Sequence, residues 1–123
     1  MRFSAFAPIL RIFDEAKAED FYLGFLGFGL DWEHRFEPDM PLYAQISLGE
    51  CVIHLSEHHG DASPGSAVRV AVDDIDGYHA EITGKGYKYM RRGIDVMPWG
   101  TREIKVIDPF FNRLMFFSPQ KQG

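Results

Sequence analysis

Cysteine is almost missing from this chain: Cys51 stands alone in 123 residues. No internal disulfide can form, so packing has to hold the fold. A single thiol in the apolar run Cys51-Val52-Ile53 reads as a small buried hydrophobe before it reads as a nucleophile. Positive charge is also short. Thirteen Lys and Arg against eighteen Asp and Glu leave a net charge of −5. That balance withholds the pull towards nucleic acid or anionic lipid and modestly favours cationic ligands. No apolar run is long enough to span a membrane, and residues 1–10 lack the apolar stretch of a signal peptide. A reducing, cytoplasmic setting without nucleic-acid or membrane partners is expected. Catalytic signatures are lacking too. There is no Ser-His-Asp order and no CxxC pair, and Gly24, Gly27 and Gly29 mark a helix end rather than a phosphate-cradling loop.

Aromatic mass is what the chain has in quantity. Eleven Phe, five Tyr and two Trp sit in a composition that is 46% apolar, enough to fill one core at this length. Residues 6–13 are short, apolar and β-prone, and Asp14 follows where a helix cap is wanted. Across residues 15–26, Ala18, Phe21, Tyr22, Phe25 and Leu26 recur at helical spacing, and Gly27 closes the helix. Residues 28–36 return to strand, and Pro38 and Pro41 force a loop. A hairpin follows over residues 42–48 and 51–55. The polar, Gly- and Pro-containing stretch 56–66 resembles a linker.

The second half repeats this plan. Residues 67–72 read as strand, Asp73-Asp74 caps a helix carrying Ile75, Tyr78, His79 and Ile82, and Gly84 or Gly86 ends it. Residues 87–91 are strand-like, 93–100 form a loop, and 101–107 with 113–117 make a final hairpin. Leu10-Arg11-Ile12 answers Val68-Arg69-Val70, and Leu26-Gly27-Phe28 answers Lys85-Gly86-Tyr87, at nearly the same offset. A duplicated βαβββ module accounts for both order and offset. Its bounds are about 5–57 and about 67–118, joined by a linker of about 58–66, in one domain.

The paired modules, Phe21-Tyr22 followed by Leu26-Gly27-Phe28, and the closing Asp108-Pro109-Phe110-Phe111-Asn112-Arg113 resemble the glyoxalase, bleomycin resistance and extradiol dioxygenase superfamily, over nearly the whole chain. The resemblance implies an α+β, glyoxalase-like fold whose two βαβββ modules form curved sheets around a cup. Phe111 stands where that family commonly has Gly, which leaves room for a different φ at this turn. Enzymes of the superfamily resembling glyoxalase I hold a divalent metal through four inward-facing side chains. The matching positions here are Ala7, His54, Ala67 and Met115. Alanine has no donor and a thioether is too soft for a hard or borderline cation, so only His54 qualifies. A catalytic zinc needs about three protein ligands, so neither metal nor any other cofactor is expected.

The likeness is closest to the bleomycin resistance branch, which binds its drug in clefts at a dimer interface. Pro98-Trp99-Gly100 with Arg102-Glu103 resembles that branch's segment before its seventh strand. The expected function is metal-independent sequestration of a bleomycin-like antibiotic, aromatic and with a cationic tail, by a homodimer. The expected ligand-binding residues are Trp32, Phe36, His54, Trp99, Arg102 and Glu103. Rings would stack on the flat drug, and Glu103 would meet the cation. Two alternatives stay open. One is a metal-dependent lyase or dioxygenase whose ligands have moved to His54, Glu57, His58 or His59. The other is a binder of an ordinary metabolite or of an antibiotic of another class.

Overall fold

A computed structural model describes residues 1–89 and 93–120. In chain order the elements are β1 (Ile9–Arg11), α1 (Glu15–Ala18), a π-helical segment (Glu19–Phe25), β2 (Gly29–His34), β3 (Tyr43–Leu48) and β4 (Cys51–Ser56). The second half holds β5 (Ala67–Ala71), α2 (Ile75–Gly84), β6 (Asp95–Val96), β7 (Thr101–Ile107) and β8 (Arg113–Pro119). They build two four-stranded sheets, ordered β1-β4-β3-β2 and β5-β8-β7-β6. In each sheet the first strand runs parallel to the last and the remaining pairs are antiparallel. The two halves share one topology, the βαβββ plan of the sequence repeat.

Both helices start on an Asp whose side chain accepts a backbone N–H of the first turn, Asp14 from Lys17 and Asp74 from Gly77, each at 2.9 Å. The 3.6-residue spacing predicts one α-helix over 15–26, and here the structure differs. After Ala18 the chain widens into the π-helical segment, and the Leu26 N–H reaches back five residues to the Phe21 carbonyl at 2.9 Å. Phe21, Tyr22, Phe25 and Leu26 are all fully buried. Gly27 then takes a φ of +88°, the left-handed conformation that ends a helix cheaply only at glycine.

Two strands differ from expectation. Of residues 6–13 only Ile9–Arg11 form strand, along the end of β4, with the Pro8 carbonyl and the Ile12 N–H each adding one bond to it and Phe6 88% exposed. Tyr87 has no regular structure, residues 88–89 form a turn, and positions 90–92, which hold the rest of the expected strand, lie outside the described residues. One of the two edge strands of the second sheet is Asp95–Val96, inside the stretch expected to be loop. Tyr87 and Tyr89 act as core aromatics: Tyr89 meets Phe21 edge-on at 4.9 Å and Tyr87 packs on Phe25 at 5.7 Å. Gly24 permits that approach, since a Cβ there would lie 2.5 Å from the Tyr87 hydroxyl.

One continuous core joins the halves. It gathers Leu10, Ile46 and Ile53 from the first sheet with Ile104, Leu114 and Phe116 from the second, around the aromatic helix face. Polar contacts stitch the same seam. The Tyr78 hydroxyl donates to the Leu26 carbonyl at 2.8 Å, and Lys85 donates to the carbonyls of Gly24 and Phe25 at 2.9 and 3.0 Å. These are end-of-helix carbonyls with no partner of their own, where a cation is favoured.

The β7–β8 turn is the deepest polar seam. Buried Asp108 accepts from the Tyr22 hydroxyl at 2.6 Å and from Phe110 N, Asn112 N and Asn112 Nδ2 at 2.8 Å each. Asn112, fully buried, also donates to the Arg11 carbonyl at 2.9 Å and accepts from Ser66 N at 3.1 Å. Phe111 keeps a left-handed φ of +70°. The turn therefore preserves the glycine-type backbone with a phenylalanine in it, because the bonds to Asp108 on either side dictate the geometry. Among the described residues, no helix is long and apolar enough to cross a membrane.

Candidate functional site

Alternation along the strands gives each sheet one face buried in the core and one open face. On the first sheet Ala44, Ile46, Ile53 and Leu55 point inward. Tyr43, Gln45 and His54 take the open side, with Trp32 paired beside Gln45. Trp32 stacks on Tyr43 at 5.9 Å with planes 15° apart, and His54 stands edge-on to both, at 5.5 and 5.2 Å. Both His54 nitrogens are occupied: Nδ1 bonds the Tyr43 hydroxyl at 2.6 Å and Nε2 bonds Gln45 Oε1 at 3.0 Å. A register shift between Leu30 and Trp32 turns Asp31 to this face, where it accepts from Gln45 Nε2 and Ser47 Oγ at 3.0 Å each.

The open end of that face is a groove of about 380 Å³ lined by Trp32, His34, Phe36, Tyr43, His58 and Asp61. Trp32 and Phe36, both expected from the sequence as ligand-binding residues, line this one groove. Trp32 is 43% exposed and Phe36 71% exposed, so both offer ring faces to a ligand.

On the second sheet Ile104, Val106, Leu114 and Phe116 face the core. Arg69, Glu103, Met115 and Phe117 share the open face, as their cross-strand pairing requires. Arg69 holds Glu103 with two nitrogens, Nη1 to Oε1 at 3.0 Å and Nη2 to Oε2 at 2.7 Å. Trp99 Nε1 and Thr101 Oγ1 also donate to Oε2, at 3.1 and 2.6 Å. The guanidinium lies 4.5 Å over the Phe117 ring. The hydrogen bonds from Arg69 first, then those from Thr101 and Trp99, pull the Glu103 carboxyl down to about 2 against the opposing effect of burial.

This changes the part assigned to Glu103. Four hydrogen bonds consume its oxygens, so it orients Arg69 and Trp99 instead of standing free for a cation. The indole ring of Trp99 is 62% exposed and pinned by its N–H. Arg69 and Phe117 belong to this face and were missed by sequence reasoning. The period-two alternation of β5 and β8 could have found them, since each falls on the exposed phase of its strand. Arg102, next to Glu103, necessarily faces the other way. It donates to Asp76 at 2.6 Å, near the start of α2, apart from the face that Glu103 and Trp99 share.

The donor set of a superfamily metal centre does not fit. Ala7 and Ala67 offer no donor, Met115 offers only a thioether, and both nitrogens of His54 already have protein partners. Among the described residues no three His, Cys, Asp or Glu side chains gather to hold a metal ion.

No curated protein matches the sequence. Solved structures do. TnmS3, an antibiotic binding protein from Streptomyces sp. CB03234, superposes with a TM-score of 0.76 at 23% identity, over 98% of this chain and 99% of that one. A bleomycin-binding protein complexed with bleomycin gives 0.73 at 17% identity, over 98% and 100%. A bleomycin resistance determinant encoded on the transposon Tn5 gives 0.74 at 16% identity, over 97% and 100%. At such identities the likeness establishes the fold alone. The family model described as glyoxalase superfamily protein matches residues 1–123. Two βαβββ sheets in the same strand order and a family match spanning every residue lead to one assignment: the chain belongs to the glyoxalase superfamily.

Proposed function

We propose that the protein sequesters a flat aromatic antibiotic of the bleomycin type, without a metal and without chemical change to the drug. The observation that carries this reading is the presentation of two exposed indoles, Trp32 and Trp99, each braced on an open sheet face by neighbouring groups. Large exposed rings held in fixed orientation lose little entropy on stacking, so they favour a flat aromatic ligand. The antibiotic-binding and bleomycin-binding proteins of the same fold support the choice of ligand class. Trp32, Phe36 and His54 form one half of the binding surface; Trp99, set by Glu103 and joined by Arg69, forms the other. A homodimer in the cytoplasm would bring the first face of one protomer against the second face of its partner and close a cleft between them.

Calorimetric titration of metal-stripped protein with copper-free bleomycin, beside its mass in solution, tests the reading. One or two drug molecules per dimer, with tryptophan fluorescence quenched and no uptake of zinc, nickel or manganese, is the expected result. Stoichiometric metal uptake with no drug signal would replace sequestration by a metal-dependent enzyme.

A further inference from the structure

A cationic ligand needs a carboxylate that is not already spent. Glu103 is spent on Arg69, Trp99 and Thr101. The groove of the first sheet differs. Its lining holds one carboxylate, Asp61, and no Lys or Arg. Asp61 is exposed; its Oδ2 accepts from Ser56 Oγ at 2.6 Å, while Oδ1 has no hydrogen-bond donor among the described residues. The guanidinium just beyond β2, Arg35, is committed to Glu15, Glu57 and the Met40 carbonyl. Three rings surround the same space. Trp32 and Tyr43 lie nearly parallel, and Phe36 is propped edge-on by His34 at 4.8 Å and by His58 at 6.0 Å. The charge on Asp61 reaches the Tyr43 hydroxyl, adding to the desolvation that raises it above its ordinary value.

Ring faces carry partial negative charge, and a carboxylate beside them adds a full one; an alkylammonium group is the ligand such a box selects. We propose that this groove is a cation subsite, taking a quaternary or protonated alkylammonium group among Trp32, Tyr43 and Phe36 with Asp61 as its counter-charge. The proposal rests on the sequestration reading for the identity of the whole ligand, but it makes a separate claim about this groove. It also moves the charge that selects the ligand from Glu103, the carboxylate singled out in the sequence, to Asp61, in the loop that follows β4.

The test uses tetramethylammonium and tert-butyl alcohol, which are similar in size and differ in charge. The indole N–H resonance of Trp32, isolated in a Trp99→Phe background of nitrogen-15-labelled protein, reports binding. Tetramethylammonium is expected to bind at least about 5-fold more tightly than the alcohol. Asp61→Asn should remove most of that preference, Asp61→Glu should retain it, and Glu81→Gln on α2 should leave it unchanged. Equal affinity for the two probes, or a preference that survives Asp61→Asn, overturns the subsite. Titration with bleomycin separates the two claims. Drug binding without ammonium preference ends the cation subsite and leaves sequestration standing. Ammonium preference without drug binding sustains the subsite and ends the choice of drug.

Discussion

Arg69 on β5 grips the Glu103 carboxylate on β7 from across β8, through two hydrogen bonds of 3.0 and 2.7 Å. The pair spans three strands, and Trp99 hangs from the same carboxylate. The carboxyl titrates at about 2 in the folded protein and at about 4.3 in an unfolded chain. Its folded value is lowered, so its contribution to stability is complete above about pH 5 and is lost as the pH falls through the folded value. Urea unfolding between about pH 5 and pH 2.5 should show a steeper loss of stability in the wild type than in Glu103→Gln. Identical acid limbs would mean that the clamp adds nothing to the fold.

Trp99 owes its orientation to Glu103, so the same substitution should reach the ligand. Glu103→Gln removes the charge that orders Arg69 and weakens the indole N–H bond, and bleomycin affinity should fall by about 3- to 10-fold. Trp32→Ala and Trp99→Ala should each cost about 10-fold or more, as truncated aromatic anchors do. Calorimetry on the three variants decides. Unchanged affinity in both Trp variants would remove the two open faces from the binding surface.

Phe111 sits at φ +70° with its ring 76% exposed. A left-handed backbone costs a bulky residue about 1–2 kcal/mol that glycine does not incur, and little burial is given up on truncation. Phe111→Gly relieves about 1–2 kcal/mol of backbone strain and returns about 0.5–1 kcal/mol of chain entropy to the unfolded state, so a denaturant titration should show a gain of no more than about 1 kcal/mol. A loss of stability would show that the ring is held by contacts beyond its own chain, in which case the mass in solution should change with it.

Tyr22 places its hydroxyl on Asp108 in the interior, linking the first helix to the β7–β8 turn. Burial first, then the Asp108 charge, raises that hydroxyl well above its ordinary value, so it stays a donor throughout the working range. Tyr22→Phe leaves the Asp108 acceptor one partner short and should cost about 1–2 kcal/mol. Asp108→Ala strands four donors and should cost more. Chemical denaturation of the milder variant is the cleaner measurement, since it keeps the ring that packs on Phe21 at 4.9 Å.

The sequence by itself determined the repeat, both helix caps, the aromatic helix face and the hairpins. Each of these depends on residues close together in the chain: Asp14 and Asp74 cap within one turn, and apolar spacing reveals which residues face inward whatever lies opposite. The meeting of Trp32 with Phe36 was legible for the same reason, since both sit on one short stretch of β2 and the loop after it. What the tertiary structure decided depends on partners far away in sequence. Arg69 lies 34 positions from Glu103, and no local pattern announces that Glu103 is spent while Asp61 is not. The π-helical widening after Ala18 and the turn at 88–89 likewise follow from the demand of one shared core, which needs Phe21, Phe25, Tyr87 and Tyr89 in the same space. How far Glu103 is committed was not legible in sequence, because its bidentate partner Arg69 arrives from another strand and joins the nearby donors Trp99 and Thr101.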